Sequence, residues 1–146
     1  VKADIIRAIP LPPISIKKVP IPICPPNKKV KNIFNKIGKT IEIKNEKLSK
    51  NFWAISGTMA SFYELLDVLS NWLIKKNINK SDAQKYVTLL YSALAELALI
   101  NSSKPLKNLV SEQTPGGLNW QGVSELRKSG YYRLLDKSLK KIYKRL

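Results

Sequence analysis

The chain has 146 residues, 44% of them hydrophobic, and 26 Lys and Arg against 10 Asp and Glu, a formal charge of +16. That length holds one ordinary core and that apolar share excludes wholesale disorder, while zero His and one Cys exclude an imidazole base, a His-based triad, a zinc site and an internal disulfide. The charge is nearly all Lys, scattered from Lys2 to Lys144 among many Ile and Asn, with Arg only at Arg7, Arg127, Arg133 and Arg145; this reads as a compositional bias and not as a nucleic-acid surface, for which Arg is preferred.

Seven of the nine prolines fall within residues 10–26, so the β-branched runs Asp4–Ile9 and Ile21–Ile23 are expected as short or edge strands. Asn27 to Ile37 predicts a helix, with Val30, Ile33, Phe34 and Ile37 at helical spacing and Gly38 placed to end it. Lys39 to Lys44 alternates polar and apolar, as a half-buried strand does. Residues 1–46 thus read as strand, strand, helix, strand, the tail of an α/β domain. A bare proline-rich ligand segment is the competing reading. Cys24, within Pro22-Ile23-Cys24-Pro25, reads as a buried structural thiol.

Helical periodicity takes over from about Leu48. One helix is expected from Ser49 to Asn77, interrupted near Ser56-Gly57-Thr58, and a second from Ser81 to Ile100, with Ser81 and Gln84 as a capping box. A short third starts at Pro105, a fourth follows Thr114-Pro115-Gly116-Gly117 to about Ser129, and a fifth covers Tyr131 to Leu146. The second helix is apolar around nearly its whole circumference, and such a helix must be buried on all sides. Thr88, Ser92 and Glu96 interrupt it too much for a membrane span. Four other helices of one small chain cannot cover it, so a second copy is expected to help, in an intertwined dimer with an apolar interface. A tightly packed monomeric bundle is the alternative. Trp53, Trp72 and Trp120 read as core or interface packing, and the basic, amphipathic last helix as a packed terminal helix in preference to a membrane-surface one.

Two glycines in a row let the backbone take positive φ and let a ligand approach. The N–H groups opening the helix after Gly117 then form an anion site that suits a small carboxylate, with Asn119 able to add a side-chain hydrogen bond. Taken alone, Thr114-Pro115-Gly116-Gly117 is a weak signal. It resembles, however, the Ser-Pro-Gly-Gly-Thr-Thr loop of pyrroline-5-carboxylate reductases. Ser56-Gly57-Thr58-Met59-Ala60-Ser61-Phe62 is similar to that family's Ser-Gly-Ser-Gly-Pro-Ala-Tyr opening of the first long helix, and Arg7-Ala8-Ile9-Pro10-Leu11-Pro12-Pro13 to its Arg-x-Met-Pro-Asn-Thr-Pro segment. All three stand in family order at matching spacing.

The resemblance implies a mostly α fold: residues 1–46 the remnant of an NAD(P)-binding Rossmann-like domain, residues 47–146 a helical dimerisation and substrate-binding domain. It implies NAD(P)H-dependent reduction of a cyclic imine, pyrroline-5-carboxylate to proline or a related imino acid, in a cytoplasmic homodimer, with assembly beyond the dimer open. Substrate contacts fall to Ser56, Thr114, Gly116, Gly117, Leu118 and Asn119, and the cofactor side to Arg7 and Pro10. No metal, nucleic acid or membrane partner is expected.

The departures lie on the substrate and nicotinamide sides. The family's Thr-Thr is Leu118-Asn119, its Gly-Pro is Met59-Ala60, the Asn after Met-Pro is Leu11, and a Glu of the first long helix aligns with Val68. No Gly-x-Gly-x-x-Gly follows a strand, and that turn holds a dinucleotide's pyrophosphate. With Val1 in place of an initiating Met and no charged and apolar leader, the chain reads as a truncated or processed one, inactive by itself; a trimmed initiator is the bland alternative. Two other functions compete: a catalytically inactive assembly module of the same fold, and a basic nucleic-acid binder whose affinity would fall steeply with salt.

Overall fold

A computed structural model describes residues 3–146; Val1 and Lys2, where the expected first domain begins, lie outside it. The fold is mostly α with a small three-stranded sheet. In order it runs β1 (Arg7–Ala8), a 3-10 turn (Pro12–Ile16), β2 (Pro20–Cys24), α1 (Lys28–Phe34), β3 (Lys39–Glu42), α2 (Glu46–Ser56), α3 (Met59–Ile74), α4 (Lys80–Ile100), α5 (Lys107–Ser111), α6 (Leu118–Lys128) and α7 (Tyr131–Arg145). Two compact units divide the chain. The first holds Val1–Thr58 with Lys137–Leu146, the second Met59–Asp136.

In the first unit the sheet order is β1-β2-β3, with β1 antiparallel and β3 parallel to β2. The Ile21–Ile23 run, expected as a short or an edge strand, is short, at five residues, and stands in the middle of the sheet, not at an edge. The reason is register. Lys39 N–H donates to the Val19 carbonyl and Ile43 N–H to that of Ile23, so odd-numbered residues of β2 turn their main chain toward β3. Pro20 and Pro22, lacking a donor, face the other way, where β1 pairs only with Ile23 and Cys24. β2, α1 and β3 make a strand–helix–strand unit with parallel strands, the building block of dinucleotide-binding sheets.

Ile21 and Ile23 are fully buried beside Val19, with Ile6, Ala8, Leu11, Ile14, Val30 and Phe34 packed around them. Burying each isoleucine contributes about 1.5–3 kcal/mol. Cys24 is buried as expected. α1 stops at Phe34, capped by Asn35, and not at Gly38. Asn35 Oδ1 instead accepts from Thr40 N–H and ties the helix end to β3. Gly38 serves the packing of the sheet. A Cβ there would lie 2.6 Å from the Val19 carbonyl oxygen and 2.7 Å from Ile21 Cδ1, so only glycine lets this turn pass close against β2.

The long first helix is broken into α2 and α3 at Gly57-Thr58, where the sequence placed the interruption. Its start is Asn45, whose side chain accepts from Lys47 N–H, and not Ser49, which is buried. Gly57 is crowded by Ile142 of α7, 3.1 Å from where a Cβ would stand.

In the second unit α3 and α4 pack on each other. Asn77 leaves α3 in the left-handed conformation at φ 66, and Ile78 N–H returns to the Leu73 carbonyl. The Ser81–Gln84 capping box is not formed. Asn79 caps α4 instead, its side chain accepting from Asp82 N–H. The expected third helix starts at Lys107, and Pro105 supplies a carbonyl to Asn108 N–H. Within this unit the buried residues are Ala83, Val87, Ser70 and Gly130, none of them large. The apolar circumference of α4 is thus not covered by its own chain: Leu90, Leu94 and Leu97 are 43–51% exposed and Ile100 is 79% exposed. No helix among the described residues is long and apolar enough to cross a membrane.

Candidate functional site

The six residues from Thr114 to Asn119 fold locally for reasons legible in their types. Gly117 N–H donates to the Thr114 carbonyl at 3.0 Å, closing a four-residue turn with Pro115 and Gly116 in its middle. Gly116 has φ +75, so the turn is type II, which favours proline at its second position and needs glycine at its third. Gly117 then opens α6 as its N-cap, in extended conformation, with its carbonyl taking the Gln121 N–H. No side chain caps this helix end. The first N–H groups of α6, at Leu118, Asn119 and Trp120, have no acceptor within the helix. A Cβ at Gly117 would stand 3.1 Å from the Thr114 oxygen.

Beside this end lies a recess of about 360 Å³ lined by Glu112, Gln113, Thr114, Gly117, Leu118 and Asn119. The turn so brings four of the expected substrate residues, Thr114, Gly117, Leu118 and Asn119, to one recess, with Gly116 on its outer bend. The sequence did not point to Gln113 or Glu112. Gln113 Nε2 donates to the Leu109 carbonyl at 3.0 Å while its Oε1 accepts from Asn119 Nδ2 at 2.8 Å. Asn119 therefore gives one of its two amide N–H groups to Gln113, which fixes the amide and leaves the second N–H for a ligand. A glutamine six residues before an asparagine carries no periodic signal, so only the folded turn reveals the pair. Leu118 is 87% exposed.

The remaining expected site residues sit in the first unit. Ser56 ends α2, and its Oγ donates to the Phe52 carbonyl, a bond within its own helix. Pro10 is exposed after β1. Arg7 pairs with Glu46 at 3.0 Å and its guanidinium lies 5.6 Å from the centre of the Trp53 ring. None of the three tryptophans is buried in the chain, and Trp72 is 60% exposed beside Lys76. Of the titratable groups, Tyr91 is perturbed: burial pushes its hydroxyl pKa up, and Tyr131 and Tyr132 push it the same way.

Comparison with known proteins gives one consistent answer. The family model for pyrroline-5-carboxylate reductase dimerisation matches residues 46–146. No curated protein matches. Among solved structures, the pyrroline carboxylate reductase of Plasmodium falciparum with NADP bound superposes with a TM-score of 0.79 at 21% identity, over 96% of this chain and 59% of that one. The pyrroline-5-carboxylate reductase of Coxiella burnetii gives 0.81 at 20% identity, over 96% and 55%. The Streptococcus pyogenes enzyme gives 0.79 at 22% identity, over 96% and 57%. The chain thus spans somewhat over half the length of the structures it matches. With the family model matched from α2 through the helical hairpin and the glycine turn to the end of α7, this chain belongs to the pyrroline-5-carboxylate reductase family.

Proposed function

We propose that this chain is the substrate-binding and dimer-forming part of an NAD(P)H-dependent oxidoreductase that reduces a cyclic imine, pyrroline-5-carboxylate to proline or a related imino acid. The observation that carries this is the Thr114–Gly117 turn, which opens an uncapped helix onto a recess in a chain of this family. Backbone N–H groups at a helix start favour a carboxylate, through both hydrogen bonds and the helix dipole. Residues 1–46 are read as the end of the dinucleotide-binding domain and residues 47–146 as the helical dimerisation domain. In this reading Thr114, Gly116, Gly117, Leu118 and Asn119 hold the substrate carboxylate, and Ser56 is a further substrate contact. Arg7 and Pro10 face the cofactor, Arg7 while held by Glu46 and Trp53. The P. falciparum relative holds NADP. This chain has no glycine fingerprint after a strand, so the pyrophosphate's grip is not among its residues. Its share is to bind, orient and shield the imino acid. The unpartnered faces of α3 and α4 support a homodimer.

A second reading, an inactive assembly module, is favoured by Leu118 and Asn119 standing where the family has hydroxyls. The full gene product, given pyrroline-5-carboxylate and other cyclic imino acids with NADPH or NADH, separates the two. Consumption of the reduced nicotinamide is expected, falling at least about tenfold in Gly117→Val, because the larger side chain meets the Thr114 oxygen and fills the recess. Absence of turnover on every imino acid, together with absence of L-proline binding by calorimetry, sinks the reductase reading and leaves the assembly module.

A further inference from the structure

The charge that looks scattered along the sequence is not scattered over the fold. Residues 1–58 and 137–146 hold 17 of the 26 Lys and Arg and 3 of the 10 Asp and Glu, a net +14; residues 59–136 hold 9 and 7, a net +2. A compositional bias alone would spread evenly over two units of similar length. On the basic unit, α2 and the end of α7 border two recesses that meet at Tyr143. One, of about 650 Å³, is lined by Arg7, Lys47, Lys50, Trp53 and Tyr143, with Glu46 its one carboxylate, already taken up by Arg7. The other, of about 580 Å³, continues past Tyr143 along Ile55 and Leu139 to Lys140 and Lys144. Cations and rings alternate there: Arg7 lies over Trp53 and Lys50 Nζ sits 4.6 Å from the Tyr143 ring centre.

We propose that this groove binds single-stranded nucleic acid without sequence preference, an activity that shares Arg7 with the reductase reading but does not depend on it. The chemistry is that of a strand-tracking groove: ammonium groups along the groove for the phosphate backbone, with aromatic rings and an apolar floor for unstacked bases. The scarcity of arginine removes the bidentate fork that reads guanine, so what is bound is backbone and base faces, not sequence.

The test is fluorescence anisotropy of the purified chain with fluorescein-labelled oligothymidylate of about 20 nucleotides, long enough for a groove of this kind. Binding is expected with a log–log salt slope of roughly −2, since about three phosphates are neutralised at about −0.7 each. Lys47→Glu/Lys50→Glu should weaken it at least about tenfold, and Trp53→Leu by about tenfold through lost stacking. Lys75→Glu/Lys85→Glu, with the same charge change in the near-neutral unit, should weaken it less than about twofold. Circular dichroism checks that each variant keeps its helices. Equal weakening by both double reversals overturns the proposal, because net charge alone would then account for binding. So does binding to phosphatidylserine vesicles with none to the oligonucleotide, which assigns the surface to a membrane.

Discussion

Two glycines of this chain do opposite things for stability. At Gly38 the turn before β3 runs so close to β2 that a methyl group would press on the Val19 carbonyl and on Ile21, one backbone and one core atom, neither free to yield. Gly122 lies within α6 with nothing inside 4 Å of where its Cβ would stand. Gly38→Ala is expected to destabilise the chain by about 2 kcal/mol, as overpacked cores do. Gly122→Ala is expected to stabilise it by about 0.5–1 kcal/mol, from helix propensity. Urea unfolding of both variants beside the parent checks the pair, and a Gly38→Ala midpoint at or above the parent's would refute the close approach. The sequence marks Gly38 as important for the wrong reason, because a glycine after a helix and a glycine under a strand look alike until the strand is placed. The glycine turn is easier: two glycines after a proline already mark a chain break that can take positive φ. The partner of Asn119 is beyond reach, since which amide faces Gln113 depends on the path between them.

Among the elements, order and kind are legible and the ends are not. Strand–strand–helix–strand and then the run of helices follow from periodicity, and the Gly57 break falls where the sequence puts it. The start of α2 is placed too late, and at α4 Ser81 is read as the cap, while asparagine serves at α1, α2 and α4; Ser and Asn are both good caps, and a chain rich in Asn offers too many to choose among. The 3-10 turn at Pro12–Ile16 is hidden because clustered prolines mask any period. Tyr91 on α4, shifted by burial and by Tyr131 and Tyr132 from the start of α7, gives this scale its test. Its pKa is higher folded than unfolded, where it is about 10, so the folded chain keeps that proton to a higher pH. The stability it contributes is complete below pH of about 10 and is lost as pH climbs through the folded value. Urea midpoints measured from neutral pH upward should fall past about pH 10 in the parent and fall less in Tyr91→Phe. Equal falls would mean that Tyr91 is as solvated in the folded chain as in the unfolded one.

The whole molecule poses a packing problem that one chain does not solve. The first unit has a core with two large side chains fully buried, whereas the second buries Ala83, Val87, Ser70 and Gly130, no large side chain, and leaves Val68, Trp72, Leu90, Leu94 and Leu97 at 43–60% exposure. Exposed apolar side chains on this scale mark an interface, and a family model for dimerisation matches residues 46–146. A second copy is the expected partner, since an isologous interface pairs a patch with itself. Sedimentation equilibrium at micromolar concentration should give twice the 16.5 kDa of one chain. Leu94→Asp/Leu97→Asp places two charges on the face, where an unpaired carboxylate is costly to bury. It should return the mass to that of one chain, while leaving the first unit's sheet intact by circular dichroism. The parent's melting temperature should rise with protein concentration and the variant's should not, because only association couples folding to mass action. A parent that sediments as a single chain and melts independently of concentration would show that α4 keeps its leucines in water, and the intertwined dimer would have to be abandoned.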